Sequence, residues 1–283
     1  MIKNDPFCDE RSVKHFVKRF FLKHIDKIEN KKVVDFPAGT GETSRLLNQL
    51  GADVQSFDLF PQYFNQENLN CLKADINNGL PLDASSTDFL VCQEGIEHFH
   101  DQLFAIREFN RVIISGGYLL VTTPNHSSLA SKIANLIFES ESTKGIPSNE
   151  INDIWMAEDD SKNIYFGHIF LIGAQKLRTL CKISGFKLIS IEKSVMSRGS
   201  LAIFTLLYPI IFIKSYLNYL RSLRKTNLDV HIAKCVFKEQ FLLNINPKTL
   251  TSKNLIMLFE KEANLNELNL GLREKYKYFD QAT

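Results

Sequence analysis

The amino-acid sequence predicts an α/β protein with a mostly parallel sheet. Short apolar segments alternate with amphipathic helical segments over much of the chain, and the short turns between them are typical of βαβ units. The 283 residues are 44% hydrophobic and 23% charged, as in ordinary globular proteins. At this length one large domain with insertions is a better prediction than two independent domains.

The predicted elements follow one another in a regular order. An apolar stripe at three- and four-residue spacing predicts an amphipathic helix over residues 10–29. Seven strands are predicted, at residues 32–36, 53–58, 70–74, 88–93, 118–123, 186–191 and 254–260. Helices are predicted at residues 43–50, 98–114 and 175–184. The alternation predicts that most of these strands pair in parallel.

The irregular segments predict how the chain is divided. Residues 1–30 would form an N-terminal amphipathic segment, and residues 31–194 with 254–261 the central domain. Residues 139–167 and 195–253 would be insertions that cover the substrate, and residues 262–283 a C-terminal tail. Aromatic and apolar side chains of the first insertion are candidates to line an acceptor pocket, namely Trp155, Met156, Tyr165 and Phe166.

Charge and cysteine content argue against several classes of protein. The formal net charge of +2 is too small for a protein whose main partner is duplex nucleic acid. The five cysteines form no CxxC pair, so nothing supports a zinc ribbon or a disulfide scaffold. The first residues are charged throughout and lack the apolar region of a signal peptide. We therefore expect a cytoplasmic protein.

A glycine-containing turn with nearby acids indicates a ligand site. The segment Asp35-Phe-Pro-Ala-Gly-Thr-Gly41 lies between a predicted strand and helix. Glycines there allow close backbone approach to a ligand, although a tight turn without a ligand is the alternative. Asp58 ends the second strand, where an acid would accept from both ribose hydroxyls. Asp75 follows the third strand, where it would accept from an exocyclic amine.

These motifs together resemble the class I S-adenosylmethionine-dependent methyltransferases. The family pattern is matched by Val33-Val34-Asp35 before the turn, by Ala38-Gly39-Thr40-Gly41 within it, and by the acids Asp58 and Asp75. A helix, Gly-Gly turn and fifth strand match over residues 107–125. The resemblance covers about half of the chain, and it implies a doubly wound, Rossmann-like fold: a mostly parallel seven-stranded sheet with a helical lid insertion.

The resemblance also implies roles for individual residues. Asp35 and Gly39 would orient the methionine part of the cofactor, Asp58 its ribose, and Asp75 with Ile76 its adenine. The expected cofactor-binding set is Asp35, Pro37, Ala38, Gly39, Gly41, Asp58, Leu59, Asp75, Ile76, Gln93 and Glu94. Pro37 departs from the family glycine, so we expect an altered loop that still binds. A nicotinamide dehydrogenase fits less well, because it would need a third glycine near Ser44.

A cluster of potential metal ligands follows the fourth strand. In Glu94-Gly-Ile-Glu-His98 the spacing i, i+3 and i+4 predicts that Glu94, Glu97 and His98 share one face of a helical turn. Carboxylates suit Mg²⁺, and an imidazole shifts the preference toward Mn²⁺, Fe²⁺ or Co²⁺. A metal there could bind two neighbouring substrate hydroxyls.

The same element resembles that of small-RNA 3′-end 2′-O-methyltransferases and ubiquinone-pathway O-methyltransferases. In the small-RNA enzymes a further histidine completes the metal site, and His168 matches it here. The alternative is a Glu-His turn without metal that caps the next helix and lines the cofactor pocket. His98 or His168 would then act as the general base, with Glu94 in the floor of the site. His100 and His126 are less favoured.

The acceptor is less clearly indicated. An apolar run over residues 201–213 is too short to span a bilayer and contains Pro209, so we expect a buried or interfacial helix. Basic residues flank it, which makes residues 201–225 a candidate for peripheral contact with the inner face of a membrane. A lid helix or a homodimer contact is the simpler interpretation.

The sequence thus predicts O-methylation of a small molecule or glycan, lipid-linked or a quinone precursor if the membrane contact holds. An RNA 2′-O-methyltransferase is an alternative, although the chain has no recognisable RNA-binding module and little net charge. A non-catalytic partner of another methyltransferase is the second alternative. Pro37 is the residue that favours it, while Asp35, Asp58 and Asp75 argue against it.

Overall fold

Seven strands form one sheet in the computed structural model, which describes residues 6–140, 146–156, 164–225 and 230–268. The strands of this sheet are β1 Lys32–Asp35, β2 Asp53–Asp58, β3 Cys71–Lys73, β4 Thr87–Gln93, β5 Ile113–Pro124, β8 Phe186–Ile191 and β9 Asn254–Lys261. A separate antiparallel pair consists of β6 Ile154–Met156 and β7 Ile164–Phe166. All seven predicted strands of the main sheet are confirmed.

The sheet has the doubly wound order β3-β2-β1-β4-β5-β9-β8. Neighbouring strands from β3 to β5 pair in parallel, whereas β9 is antiparallel to both of its neighbours. The order reverses between β1 and β4, because the chain first builds outward to β3 and then returns. In such sheets a crevice opens outside the carboxyl ends of the strands at this switch point.

Eight helices accompany the strands within the described residues. They are α1 Val13–Lys23, α2 Glu42–Gln49, α3 Gln102–Val112, α4 Leu129–Phe138, α5 Ala174–Lys182, α6 Arg198–Lys225, α7 Val230–Ile245 and α8 Pro247–Thr251. Two buried clusters lie between the sheet and the helices, one on each face of the sheet. Val33 and Phe89 pack with α1 and α2, while the adjacent Val34 and Leu90 pack with α3 and α5. This follows from the alternation of side chains along a strand.

Capping residues set helix bounds that the apolar periodicity had placed differently. The helix predicted at residues 98–114 begins only at Gln102, because the Asp101 carboxylate accepts a hydrogen bond from Phe104 N at 2.8 Å. The preceding Ile96–His98 form a 3₁₀ turn. The helix predicted at residues 10–29 is α1, which begins after the N-cap Ser12, followed by a 3₁₀ turn at Ile25–Lys27.

The insertions contain more regular structure than the sequence predicted. The irregular segment expected at residues 139–167 includes the pair β6–β7, and α4 was not predicted. Ser128 was an available signal for α4, since its hydroxyl accepts from Ser131 N at 3.1 Å as an N-cap. The side chains of Trp155 and Met156, and most of the predicted tail at 262–283, lie outside the described residues. The predicted division into domains stays a prediction.

Helix α6 overturns the expectation of a buried apolar segment. It is 28 residues long, contains Pro209 in its interior, and exposes large apolar side chains such as Leu206, at 75%. In the described part of the chain it is the one helix long and apolar enough to cross a membrane, judged by length and composition, and only 6% of its most apolar stretch is buried. The buried alternative is wrong because the neighbouring helices cover one side of α6 only, whereas the interfacial alternative stays a prediction.

Candidate active site

A cleft of about 1190 Å³ opens at the carboxyl ends of β1, β2, β3 and β4. It lies at the switch point, as the sheet order requires. Nearly all of the predicted cofactor residues line it, namely Asp35, Pro37, Ala38, Gly39, Asp58, Leu59, Asp75, Ile76, Gln93 and Glu94. Gly41 does not; it precedes α2 with φ +82°, and a Cβ there would lie 2.4 Å from the Phe64 ring.

Two backbone groups hold the Asp58 carboxylate at the edge of the cleft. Gly39 N donates to Oδ2 at 2.7 Å, and Phe60 N donates to Oδ1 at 2.8 Å. Asp58 is 7% exposed, so these bonds restrict its rotamer. An ionised carboxylate has further lone pairs on both oxygens. The side chain is therefore pre-oriented to accept hydrogen bonds from a pair of hydroxyls.

The Asp35 carboxylate is buried and only half satisfied. Ser44 Oγ donates to Oδ2 at 2.6 Å, and Oδ1 has no hydrogen-bond partner among the described residues. Burial raises the pKa of Asp35 to about 7, and the charge of Asp58 adds to this effect. A buried acceptor without a donor is costly, so this position suits a ligand that brings a cationic donor.

The turn around Pro37 is shaped by close packing against Gly95. A Cβ on Gly95 would lie 2.3 Å from Pro37 Cδ, so glycine is needed there while proline occupies position 37. The Phe36–Pro37 peptide bond is cis. The neighbouring amides keep their roles, since Ala38 N donates to Phe57 O at 2.9 Å and Gly39 N to Asp58. With proline in place of the family glycine, Gly39 N still donates to Asp58.

Asp75 and Gln93 are held beside the cleft by local hydrogen bonds. The Asp75 Oδ1 accepts from Asn77 N at 3.0 Å, which caps the 3₁₀ turn Ile76–Asn78. Thr43 Oγ1 donates to Gln93 Oε1 at 2.8 Å, which joins α2 to the end of β4. Both contacts fix polar groups where the sequence predicted the adenine and the floor of the site.

Glu97, His98 and His168 come together beside this cleft. One potential ligand atom of each lies within 4.8 Å of the others, and the two imidazole rings are 5.1 Å apart. Glu97 is fully buried; Thr123 Oγ1 donates to its Oε2 at 2.9 Å, while Oε1 has no hydrogen-bond partner among the described residues. Burial, together with the nearby charge of Glu94, raises the pKa of Glu97 to about 8.

His98 is oriented by the segment that precedes His168. Its Nδ1 lies 2.9 Å from Phe166 O and 3.1 Å from Gly167 O. The tautomer that donates from Nδ1 to these carbonyls places the ring lone pair on Nε2, which is the common second-shell arrangement of metal-binding histidines. His98 also lines the cleft, so it joins the trio to the cofactor region.

Glu94 does not belong to this trio, although the sequence grouped it there. Its carboxylate accepts instead from Thr122 Oγ1 at 2.9 Å and from Asn254 Nδ2 at 3.0 Å. The reason is the backbone: Glu94 has φ +49°, and the turn at Ile96–His98 is 3₁₀ rather than α-helical. The i, i+3, i+4 spacing therefore no longer brings all three side chains to one face. Burial raises the pKa of Glu94 to about 7.

Further residues line the cleft, and only some of them gave a sequence signal. Lys14 of α1 lines the cleft and forms an ion pair with Glu42, so the N-terminal segment is part of the site. Tyr165 and Phe166 line it as predicted for the acceptor pocket, and Phe60 lies 4.7 Å from the Tyr165 ring centre. His100 also lines the cleft, whereas His126 is not among the described residues that do.

Comparisons with known proteins show which family the chain resembles. A family model described as a methyltransferase domain matches residues 8–191, well over half of the chain. Ubiquinone biosynthesis O-methyltransferase from Xanthomonas campestris is 28% identical over 112 residues, 36% of this chain and 47% of the relative. The same-named protein from Hydrogenovibrio crunogenus is 27% identical over 116 residues, 38% and 48% of the two chains. The alignments thus span about half of these relatives.

A solved S-adenosylmethionine-dependent methyltransferase from Archaeoglobus fulgidus has the same fold. It superposes with a TM-score of 0.51 at 15% identity, covering 89% of this chain and 96% of the other. The chain belongs to the methyltransferase domain family, and by family and fold it is a class I S-adenosylmethionine-dependent methyltransferase.

Proposed function

We propose that the chain transfers the methyl group of S-adenosylmethionine to a hydroxyl oxygen of a small-molecule or glycan acceptor. The observation that carries the proposal is the convergence of Glu97, His98 and His168 beside a cofactor cleft that His98 also lines. Similarity to ubiquinone biosynthesis O-methyltransferases supports oxygen as the acceptor atom. RNA stays the alternative acceptor, because the same ligand pattern resembles the small-RNA enzymes.

The residues of the cleft fit S-adenosylmethionine. The cofactor supplies an electrophilic methyl group on its sulfonium. The unsatisfied Asp35 Oδ1 would accept from the cofactor's amino group, and the pre-oriented Asp58 would accept from its ribose hydroxyls. Asp75 and the backbone at Ile76 would hold the adenine, with Gln93 and Glu94 in the floor. These contacts would hold the methyl carbon near the acceptor, and positioning is a large part of catalysis for such a transfer.

Glu97, His98 and His168 would act on the acceptor hydroxyl. Their mixed carboxylate and imidazole set fits Mn²⁺ or Mg²⁺, which would lower the pKa of a bound hydroxyl. Without metal, His98 or His168 would take the hydroxyl proton. In the transfer the hydroxyl oxygen bonds to the methyl carbon, the carbon–sulfur bond breaks, and its electron pair stays on sulfur. The products are the methyl ether and S-adenosylhomocysteine.

A turnover assay tests this proposal. We expect S-adenosylhomocysteine release with catechols or vicinal-diol glycosides, its loss in EDTA, and its recovery with Mn²⁺. Full turnover in EDTA would contradict the metal and leave a histidine base. Methyl transfer only to RNA 3′ ends would show that the acceptor is RNA and not a small molecule or glycan. Absence of S-adenosylhomocysteine binding, measured by calorimetry, would favour a non-catalytic partner subunit instead.

Affinity for S-adenosylhomocysteine should fall as the pH is lowered through about 7. The pKa of Asp35 is about 7 in the protein without cofactor, so its carboxyl is protonated below that pH and ionised above it. Only the ionised form pairs with the amino group of the ligand, so binding at low pH must expel a proton. The affinity loss should approach tenfold per pH unit below the pKa. Calorimetry from about pH 5.5 to 8.5 measures it.

The Asp35→Asn variant is the control for this pH profile. It should bind weakly and with little pH dependence over the same range, because its side chain cannot ionise. A native profile that stays flat below pH 7 would show that Asp35 does not pair with the ligand.

A further inference from the structure

An exposed apolar surface is formed by α4 and by α6 of the second insertion. We call it the apolar helical surface, and its exposed side chains are Leu136, Ile137 and Phe138 of α4 with Leu201, Leu206, Ile210, Ile213 and Leu217 of α6. Helices α4 and α6 contact each other, so these side chains belong to neighbouring elements. Several large exposed apolar side chains on neighbouring elements usually mark an interaction site.

Helix α6 is apolar on both of its sides. On the covered side its aromatic rings pack on Phe241 of α7, with Phe212 at 5.7 Å and Tyr216 at 6.0 Å between ring centres. On a different face Leu206, Ile210, Ile213 and Leu217 recur at three- and four-residue spacing and are 52–75% exposed. A helix that is apolar all round is normally covered all round, by protein or by lipid. In the described structure, the exposed face of α6 has no such contact.

The charges of α6 indicate which partner contacts its exposed apolar side chains. The helix has no Asp or Glu, and its charged residues are Arg198, Lys214, Arg221, Arg224 and Lys225. A second copy of the chain packed here would bring like charges together. An anionic lipid surface would instead attract them, while the apolar side chains enter the boundary between headgroups and acyl chains.

The position of Lys214 favours a helix that lies on the bilayer over one that crosses it. The uncharged stretch at 199–213 is about 22 Å long at 1.5 Å per residue, shorter than the roughly 30 Å hydrocarbon core. The helix is also tied to the folded domain at its start. Ser197 N donates to Thr251 O at 2.8 Å, and Ala130 N donates to Ser200 Oγ at 3.1 Å.

These two hydrogen bonds place the start of α6 at the edge of the sheet that carries the cofactor cleft. Thr251 lies three residues before β9, whose first residue Asn254 pairs with Pro124 at the carboxyl end of β5. Asn254 also donates to the cleft residue Glu94 at 3.0 Å. A membrane that contacts α6 would therefore approach the catalytic edge of the sheet.

We infer that the apolar helical surface binds peripherally to an anionic lipid bilayer. The apolar side chains of α4 and α6 enter the interface, and the basic residues of α6 contact lipid phosphates. Lipid binding by this surface does not depend on methyl transfer. Together with the proposed function, it means that the acceptor is an amphiphile drawn from the membrane.

Sedimentation with lipid vesicles tests the inference on the full chain. We expect binding to phosphatidylcholine vesicles that contain about 30% phosphatidylglycerol, weaker binding to phosphatidylcholine alone, and loss at high salt. The double variant Leu206→Glu/Ile213→Glu should bind at least about tenfold more weakly. The triple variant Lys214→Gln/Arg221→Gln/Arg224→Gln should lose roughly fivefold for each cation removed.

Leu22→Glu is the matched control, because Leu22 is an apolar side chain of α1 that is 52% exposed. It should sediment like the native chain, and all variants should keep the native circular-dichroism spectrum. The inference is overturned by absence of vesicle binding at low salt, or by equal binding of all variants. It is also overturned by a solution dimer that Leu206→Glu dissociates, or by resistance to alkaline carbonate extraction, which would indicate a spanning helix.

Discussion

Replacing Asp58 by alanine should weaken S-adenosylhomocysteine binding by at least about a hundredfold. The Asp58 carboxylate is buried, and two backbone amides fix its orientation at the cleft. The variant loses the hydrogen bonds to two ribose hydroxyls, and each bond to a charged acceptor contributes about 1.5–3 kcal/mol. Gly39 N and Phe60 N also lose their acceptor, which loosens the cofactor loop. Calorimetric titration of native and variant protein measures the change.

The matched control is Asp88→Ala. The Asp88 carboxylate also accepts from a backbone amide, Lys32 N at 2.9 Å, but it lies at the opposite edge of the sheet, near the start of β4 and β1. The control should therefore bind S-adenosylhomocysteine like the native chain. An Asp58→Ala variant that is folded and binds with native affinity would remove Asp58 from the ribose site.

Loss of one member of the trio should weaken Mn²⁺ binding by at least about a hundredfold, because even residues that only support a ligand contribute ten- to a hundredfold. Glu97→Gln keeps the shape of the side chain and removes its charge; His168→Ala removes an imidazole. Titration of Mn²⁺ followed by electron paramagnetic resonance of the free ion gives the dissociation constants and needs no acceptor. Unchanged constants in both variants would contradict the metal site.

Two further variants sharpen this measurement. His15→Ala is the control for removing a histidine. His15 belongs to α1 and is outside the cleft lining, and its Nδ1 lies 3.0 Å from Phe7 O. Glu94→Gln distinguishes the site seen in the structure from the one predicted by spacing. Glu94 already accepts from Thr122 and Asn254, so its loss should leave Mn²⁺ affinity within about tenfold of native. A hundredfold loss of Mn²⁺ affinity would show that Glu94 is a metal ligand after all.

The strands and the residues that line the cleft were predictable because their signals are local. Each strand was visible as an apolar segment next to a turn, and Asp35, Asp58 and Asp75 each come at or just after the carboxyl end of a strand. Parallel strands bring those ends to one edge, so residues far apart in sequence meet without any further information. Class, sheet and cleft lining therefore followed from the order of residues.

Residue spacing misled wherever backbone geometry departed from the regular helix. The positive φ of Glu94 and the 3₁₀ turn after it separate Glu94 from Glu97 and His98. Thr122, Thr123 and Asn254 orient the two glutamates from distant strands, and no local pattern marks them. The contribution of α1 to the cleft, through Lys14, was equally invisible.

The sequence by itself determined the class of protein and the presence of a Glu-His cluster, and it predicted the acids that line the cleft. Tertiary structure decided which members of that cluster meet. Thr122 and Asn254 donate to Glu94 from distant strands, while His98 is hydrogen-bonded to the segment that precedes His168. It also decided that α6 is exposed rather than buried, because burial depends on which helices pack beside it. Local propensity records what a segment can form, whereas long-range packing selects its neighbours.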